Sequence, residues 1–310
     1  VKSKCPSNTV RLLLVGAVLA ALLFAVAGCG GGGSSSDSGT TANAVDAGSG
    51  SSSEAGAGKG GSGSTGSTEE VGQVEAEWQQ PVGKANVTGY ELLKASETRS
   101  LAKSLATAFE LPAALKIKGV NGFGGGPFYN PEDNSITLPY QFTAVVFEVI
   151  TEANPKERPE EWGEAVGSVD SFILAHEFGH ALIHNFNLPV LGREEDAADG
   201  IATVMLLKAE EGAAYASEAA EFWANFSGRQ NPPALVEYAD NHSFDRQRAY
   251  NILCWVGGSN EAILQAFAED EVVPESRLAS CPAEWQLLRR SVEQVLRPHL
   301  SHGVNLAPAD

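Results

Sequence analysis

The chain has 310 residues, 39 acidic against 21 basic, and a formal charge of -18. Such an excess of acid excludes a nucleic-acid binder, which needs a basic face to displace counterions from phosphates. Apolar residues make up 43% of the sequence and all five tryptophans lie beyond Val71, so one sizeable core can be buried there, whereas the first seventy residues do not read as a packed fold.

Lys2, Lys4 and Arg11 lead into an apolar run, Leu12 to Ala27, that is too short for a comfortable membrane span and has the pattern of a secretory signal. The run ends in Val26-Ala27-Gly28-Cys29, which resembles the lipobox of bacterial lipoproteins. That resemblance implies diacylglycerol on the Cys29 thiol and cleavage after Gly28. Residues 1–28 are thus expected to be a lipoprotein signal peptide; their loss removes three basic residues and no acid, taking -18 to about -21. Residues 29–70, mostly Gly, Ser, Ala and Thr, cannot bury enough apolar surface to fold. They are expected to be a flexible tether with a reach of some tens of ångströms. The folded domain is expected over 71–310, outside the cytoplasm and held to a bacterial membrane through Cys29.

Within the domain, Leu92, Leu93, Leu101, Leu105 and Phe109 recur near helical spacing before Pro112, which predicts one helix over 91–110. Pro127-Phe128-Tyr129 and Ser135-Ile136-Thr137-Leu138 flank the turn cluster Asn130-Pro131-Glu132-Asp133-Asn134 and predict a hairpin. A helix is expected over 142–152. Val169, Phe172, Ile173, His176, His180 and Ile183 fall on one face of a further helix over 168–187, closed by Pro189. The next helix, 193–208, follows Gly192. Others are expected at 213–226, 245–256, 260–268 and 282–297. The fold class is helix-rich α+β with a small sheet or hairpin near its front. Cys254 and Cys281 are the remaining cysteines of the mature chain and are expected to pair, since an exported protein sits where disulfides survive.

His176-Glu177-Phe178-Gly179-His180 carries the chemistry. On a helix, histidines four apart reach one metal ion while the glutamate between them addresses the attacking water. A catalytic site wants a third protein ligand and one open position. Glu195, fifteen residues past His180, is the candidate, with Glu194 and Asp196 as alternates. Asp199, four residues on and on the same helical face, is placed to accept the free N–H of a ligating imidazole and fix its tautomer. Two imidazoles and a carboxylate suit Zn2+. His184 shares the face but lies about 12 Å along the axis from His176, too far to share the ion, and reads as a rim residue. Ile183 and Phe186 stand where the metzincin pattern needs glycine and histidine, which excludes that family.

Together with Gly192-Arg193-Glu194-Glu195-Asp196-Ala197-Ala198-Asp199, the motif resembles the gluzincins, and most closely a bacterial family of metallopeptidase-type domains of unknown function. The resemblance covers roughly residues 85–300. It also rests on Phe128-Tyr129-Asn130-Pro131 with Ile136, on the block Asn241-His242-Ser243-Phe244-Asp245-Arg246-Gln247-Arg248, and on Asn251-Ile252-Leu253-Cys254-Trp255. It departs where members carry cysteines, near Gly124 and Pro139. It implies a zincin-like metallopeptidase domain and an edge strand that pairs with an extended substrate, a part Ser135 to Leu138 is expected to play. It also implies an oxyanion donor from outside the motif, His242 first, with Tyr140 or Arg248 as alternates. The expected activity is zinc-dependent peptide-bond hydrolysis with Glu177 as proton acceptor and a peptide or protein as substrate. The competing class is a non-catalytic surface lipoprotein that binds a protein or cell-wall component and keeps the metal site as structure.

Overall fold

The computed structural model describes residues 74–227 and 243–306. The expected signal, Cys29, the tether and His242 lie outside the described residues. A four-stranded sheet forms from β1 (Val74–Trp78), β2 (Leu115–Val120), β3 (Phe128–Asn130) and β4 (Ser135–Pro139), in the order β1-β2-β4-β3. The first two pairings are parallel and β3 runs antiparallel to β4. Helices α1 (Lys84–Ala95) and α2 (Thr98–Thr107) lie between β1 and β2. After β4 the chain is helical: α3 (Tyr140–Ala153), α4 (Pro159–Phe186), α5 (Glu194–Leu206), α6 (Gly212–Phe226), α7 (Asp245–Ser259), α8 (Glu261–Glu269), α9 (Glu275–Leu278) and α10 (Cys281–Leu296). The class is helix-rich α+β, as the sequence predicts.

Three local expectations change. The single helix over 91–110 is two helices, because Ser96 ends the first: its hydroxyl donates to the Leu93 carbonyl at 2.8 Å and shares a hydrogen bond with the Thr98 hydroxyl. Side-chain hydroxyls compete in this way with continuation of the helical ladder. The hairpin forms, but it belongs to a larger sheet, and β1 and β2 were not anticipated. Ser135 to Leu138 is not an edge: β4 is paired on both sides and buried along its length, so the free edge of the sheet at that end is β3.

The 28-residue α4 is the axis of the domain. Pro159 opens it with its fixed φ, the Glu161 carboxylate accepts the backbone N–H of Arg158 at 2.8 Å, and Asn187 closes it in the left-handed region at φ 48. From Val169 to Ile183 every residue is buried, the mark of a helix wrapped on all sides. Its neighbours are α1, α2, α3, α5 and α6, together with β3 and β4. A disulfide joins Cys254 of α7 to Cys281 at the start of α10.

One buried group in this core bears on stability. Asp170 accepts a hydrogen bond from Thr143 through Oδ1, while Oδ2 has no partner, and burial pushes its carboxyl up to about 8. Between pH 4 and 8 the folded chain therefore holds a proton that the unfolded chain has released, so stability falls as pH rises through that window. Asp170→Asn keeps the Thr143 acceptor and removes the linkage. It is expected to raise stability at pH 7 by about 1–2 kcal/mol and to change it little at pH 4, read from urea unfolding at both pH values.

Candidate metal centre

The centre is built where α4 meets α5. Residues four apart on a helix project from the same side, so α4 presents His176 and His180 and α5 presents Glu195 and Asp199. How near the two helices come is set at Gly179: a Cβ there would lie 3.2 Å from both the Cα and the carbonyl oxygen of Ala198. Glycine removes that obstacle and lets the backbones close.

At this spacing His176 Nε2, His180 Nε2 and Glu195 Oε2 lie 3.2 Å from one another on all three sides. The other nitrogen of each ring is committed. His176 Nδ1 lies 2.8 Å from Asp199 Oδ1 and His180 Nδ1 lies 2.8 Å from Glu194 Oε1. Ionised carboxylates only accept, so each Nδ1 carries a proton, and a ring that binds metal would turn the lone pair of Nε2 inward. Two lone pairs and a carboxylate oxygen would then face one another in a buried place, an arrangement able to hold a metal ion. The triangle also has the right size. Ligands at about 2.0–2.1 Å from a tetrahedral ion are about 3.3 Å apart.

The surrounding charges hold this set in place. Burial alone would raise the Asp199 carboxyl, but the guanidinium of Arg248 and then His176 hold it well below the usual carboxylate range. Arg248, itself buried on α7, grips Asp199 with Nε and Nη2 at 2.8 Å each, the two-pronged geometry that fixes a carboxylate in orientation. The guanidinium also lies over the Trp223 ring of α6, its carbon 4.3 Å from the ring centroid. Burial opposes the charge on His176, yet Asp199 keeps it up at about 9 when a proton rather than a metal is present. Burial raises the Glu177 carboxyl, against the imidazoles of His176 and His180 and the backbone N–H of Tyr129, which donates to it. Glu177 thus stands beside the triangle without being part of it.

The remaining expected residues separate clearly. Glu194 is not among the converging ligand atoms; it bridges His180 Nδ1 and His184 Nε2, the latter at 3.2 Å. His184 is exposed at the rim and its ring lies 5.7 Å from that of Tyr129. Asp196 accepts the Ser243 hydroxyl at 2.7 Å. Tyr140 is fully buried and donates to the carbonyls of Gln79 and Gly119, which removes it as an oxyanion donor. Sequence reasoning gave Arg248 only as an oxyanion alternate and missed its grip on Asp199. A signal existed: Arg248 falls on the buried stripe of α7 that continues through Ala249, Ile252 and Val256, where a charge needs a partner.

A family model described as "putative metallopeptidase" matches residues 79–296. The chain belongs to this family. The match begins just after β1 and ends with α10, so it contains β2, β3, β4 and the metal centre and leaves out β1. Among curated proteins and solved structures nothing matches the chain.

Because Arg248 fixes Asp199, and Asp199 the tautomer of His176, Arg248→Lys keeps the charge but loses the two-pronged grip. It is expected to weaken metal binding about 10–100-fold in chelator-competition titrations. Unchanged affinity would show that Asp199 holds its orientation without Arg248.

Proposed function

We propose that the chain hydrolyses peptide bonds with zinc held by His176, His180 and Glu195. The observation that carries this reading is the triangle of inward-facing acceptor atoms with 3.2 Å sides and Glu177 beside it. When bound, zinc supplies a Lewis acid that polarises the scissile carbonyl and lowers the pKa of water. Zinc is favoured over other divalent ions by the two imidazoles and one carboxylate.

The chain's own residues supply the rest. Asp199 and Glu194 keep the two imidazoles in the tautomer that leaves Nε2 free. Glu177 takes a proton from the attacking water and returns it to the leaving nitrogen, and a carboxyl raised by burial suits a group that must both accept and give. Donation from the Tyr129 N–H ties Glu177 to β3. The edge of β3, in place of Ser135 to Leu138, is the strand we expect to align an extended peptide, since opposite residues of an antiparallel pair alternate in the direction of their hydrogen-bonding groups. In this reading His242 donates to the oxyanion, because Tyr140 is committed elsewhere and Arg248 uses two of its nitrogens on Asp199.

Glu177→Gln is expected to bind metal as the wild type does and to lose at least about 100-fold in kcat on a mixed peptide library. In the same assay His242→Ala is expected to lower kcat with little change in KM. Full cleavage by Glu177→Gln would eliminate it as the base. A metal-loaded wild type that cleaves nothing would favour the surface-binding class.

We further propose that the chain works outside the cytoplasm, anchored by lipid on Cys29. Support comes from the basic lead, the apolar run and the small residues before Cys29, and from the Cys254–Cys281 disulfide, a bond that persists in oxidising compartments. Among the described residues no helix is long and apolar enough to cross a membrane. Cys29→Ser is expected to abolish incorporation of labelled fatty acid and to release the protein from the membrane fraction. Persistent labelling of that variant would refute the anchor.

A further inference from the structure

A groove of about 610 Å³ lies between the first turns of α7 and α9, next to the cleft that His176 and Glu177 line, and Phe244 is a wall of both. From α7 it is lined by Arg246, Gln247, Tyr250 and Asn251, and from the other side by Pro274, Ser276 and Arg277. By helical period the four α7 residues share the side opposite the buried stripe of Arg248, Ala249, Ile252 and Val256. They therefore face away from the metal centre, and none of them is among its ligands.

The groove is basic on an acidic protein. Its described lining has two arginines and no acid, whereas the chain carries -18 and the metal-centre cleft is lined by Glu177 and Asp245. Glu275 is exposed and not part of the lining. The two guanidiniums differ in what they have left to offer. Arg277 pairs with Glu284 and donates through Nη2 to Asn251 at 3.2 Å, which neutralises it and fixes the floor. Arg246 is exposed, and its Nε donates at 3.2 Å to the hydroxyl of Ser227, itself on the lining of the metal-centre cleft. Nη1 and Nη2 of Arg246 have no partner among the described residues. Because Ser227 already holds the fork, less side-chain freedom is lost when an anion binds it. Gln247, Tyr250 and Ser276 add an amide and two hydroxyls that no described residue engages.

A planar fork with two free nitrogens suits a carboxylate or a phosphate. Adsorption on an anionic membrane takes a cluster of basic residues, and one unneutralised guanidinium is too little for it. Continuity favours a peptide: an extended chain that leaves the metal centre past Phe244 runs onto the groove. Glu177 and Asp245 repel acids from the cleft itself, so charge would set the register of the chain. We propose that Arg246, with Gln247, Tyr250 and Ser276, forms a subsite for an acidic side chain of the peptide substrate, two or more residues from the cleaved bond. This inference rests on the hydrolase reading above.

The full chain, metal-loaded, is given a randomised peptide library, and both sides of every cut are read by mass spectrometry. Asp and Glu are expected to be enriched at least about fivefold at one position two or more residues from the bond. Arg246→Gln is expected to remove that enrichment, and Arg246→Glu to replace it with Lys and Arg. Position 246 is exposed, so both variants are expected to fold, which an unchanged metal content checks. A wild type without acidic enrichment overturns the proposal, as does a profile that both variants leave unchanged. If the library is not cleaved at all, the hydrolase reading fails and fluorescence anisotropy decides the groove alone, with labelled peptides of glutamate or of glutamine as probes. Preference for the glutamate peptide, lost in Arg246→Glu, supports a site for acidic peptides. Equal binding of the two, or none, overturns it. Binding of glycerol phosphate without the glutamate peptide assigns the groove to a lipid headgroup and overturns it as well.

Discussion

The close approach of α4 to α5 at Gly179 and Ala198 is the constraint on which the site depends. A methyl group at position 179 would meet Ala198 backbone at 3.2 Å, and a neighbour must then yield by tenths of an ångström. Shifts of that size matter here, because the acceptor triangle has sides of 3.2 Å and a metal ion tolerates little departure from its bond length. The glycine in the motif thus sets the distance between the histidine helix and the carboxylate helix.

Bringing these helices together also concentrates charge. Glu177, Glu195 and Asp199 are all buried within the same few turns, and Arg248 answers Asp199 with a permanent positive charge. Burial without a positively charged neighbour favours the protonated form of a carboxyl, and this is what raises Asp170, whose one side-chain partner is the Thr143 hydroxyl. Asp199 differs because the guanidinium of Arg248, and then His176, hold it ionised. The contrast between two aspartates on neighbouring helices shows how the surroundings, and not the residue type, decide which one can orient a ligand.

The sequence displayed the parts of the site that obey a period. Four-residue spacing placed the histidines on one face of α4, and the same spacing paired Glu195 with Asp199. It displayed less where burial comes from distant partners. Val74, Ala76 and Trp78 alternate with Glu75 and Glu77, but the three central residues are exposed, and β1 holds its place through pairing with β2 and through Val74 and Trp78, which pack against the core. Leu115 and Ile117 likewise alternate with Lys116 and Lys118, a period-two signal that marks β2. The interior position of β4 was hidden because a hairpin looks the same from sequence whether or not a third strand joins it. Arg248 lies 49 residues from Asp199, beyond the reach of any local pattern.

The connection between α4 and α5 is short, and this shapes how the site is assembled. Glu195 meets His180 and His176 across separations of 15 and 19 residues, whereas the Arg248 grip closes across 49. Loop closure costs entropy in proportion to the logarithm of the loop length, so the ligand corner is the cheaper contact to form. It is a hairpin of two helices, the kind of local pairing that lowers contact order and speeds folding. The ion's coordination corner can therefore come together while the C-terminal helices are still undocked, with the guanidinium arriving afterwards to lock its orientation.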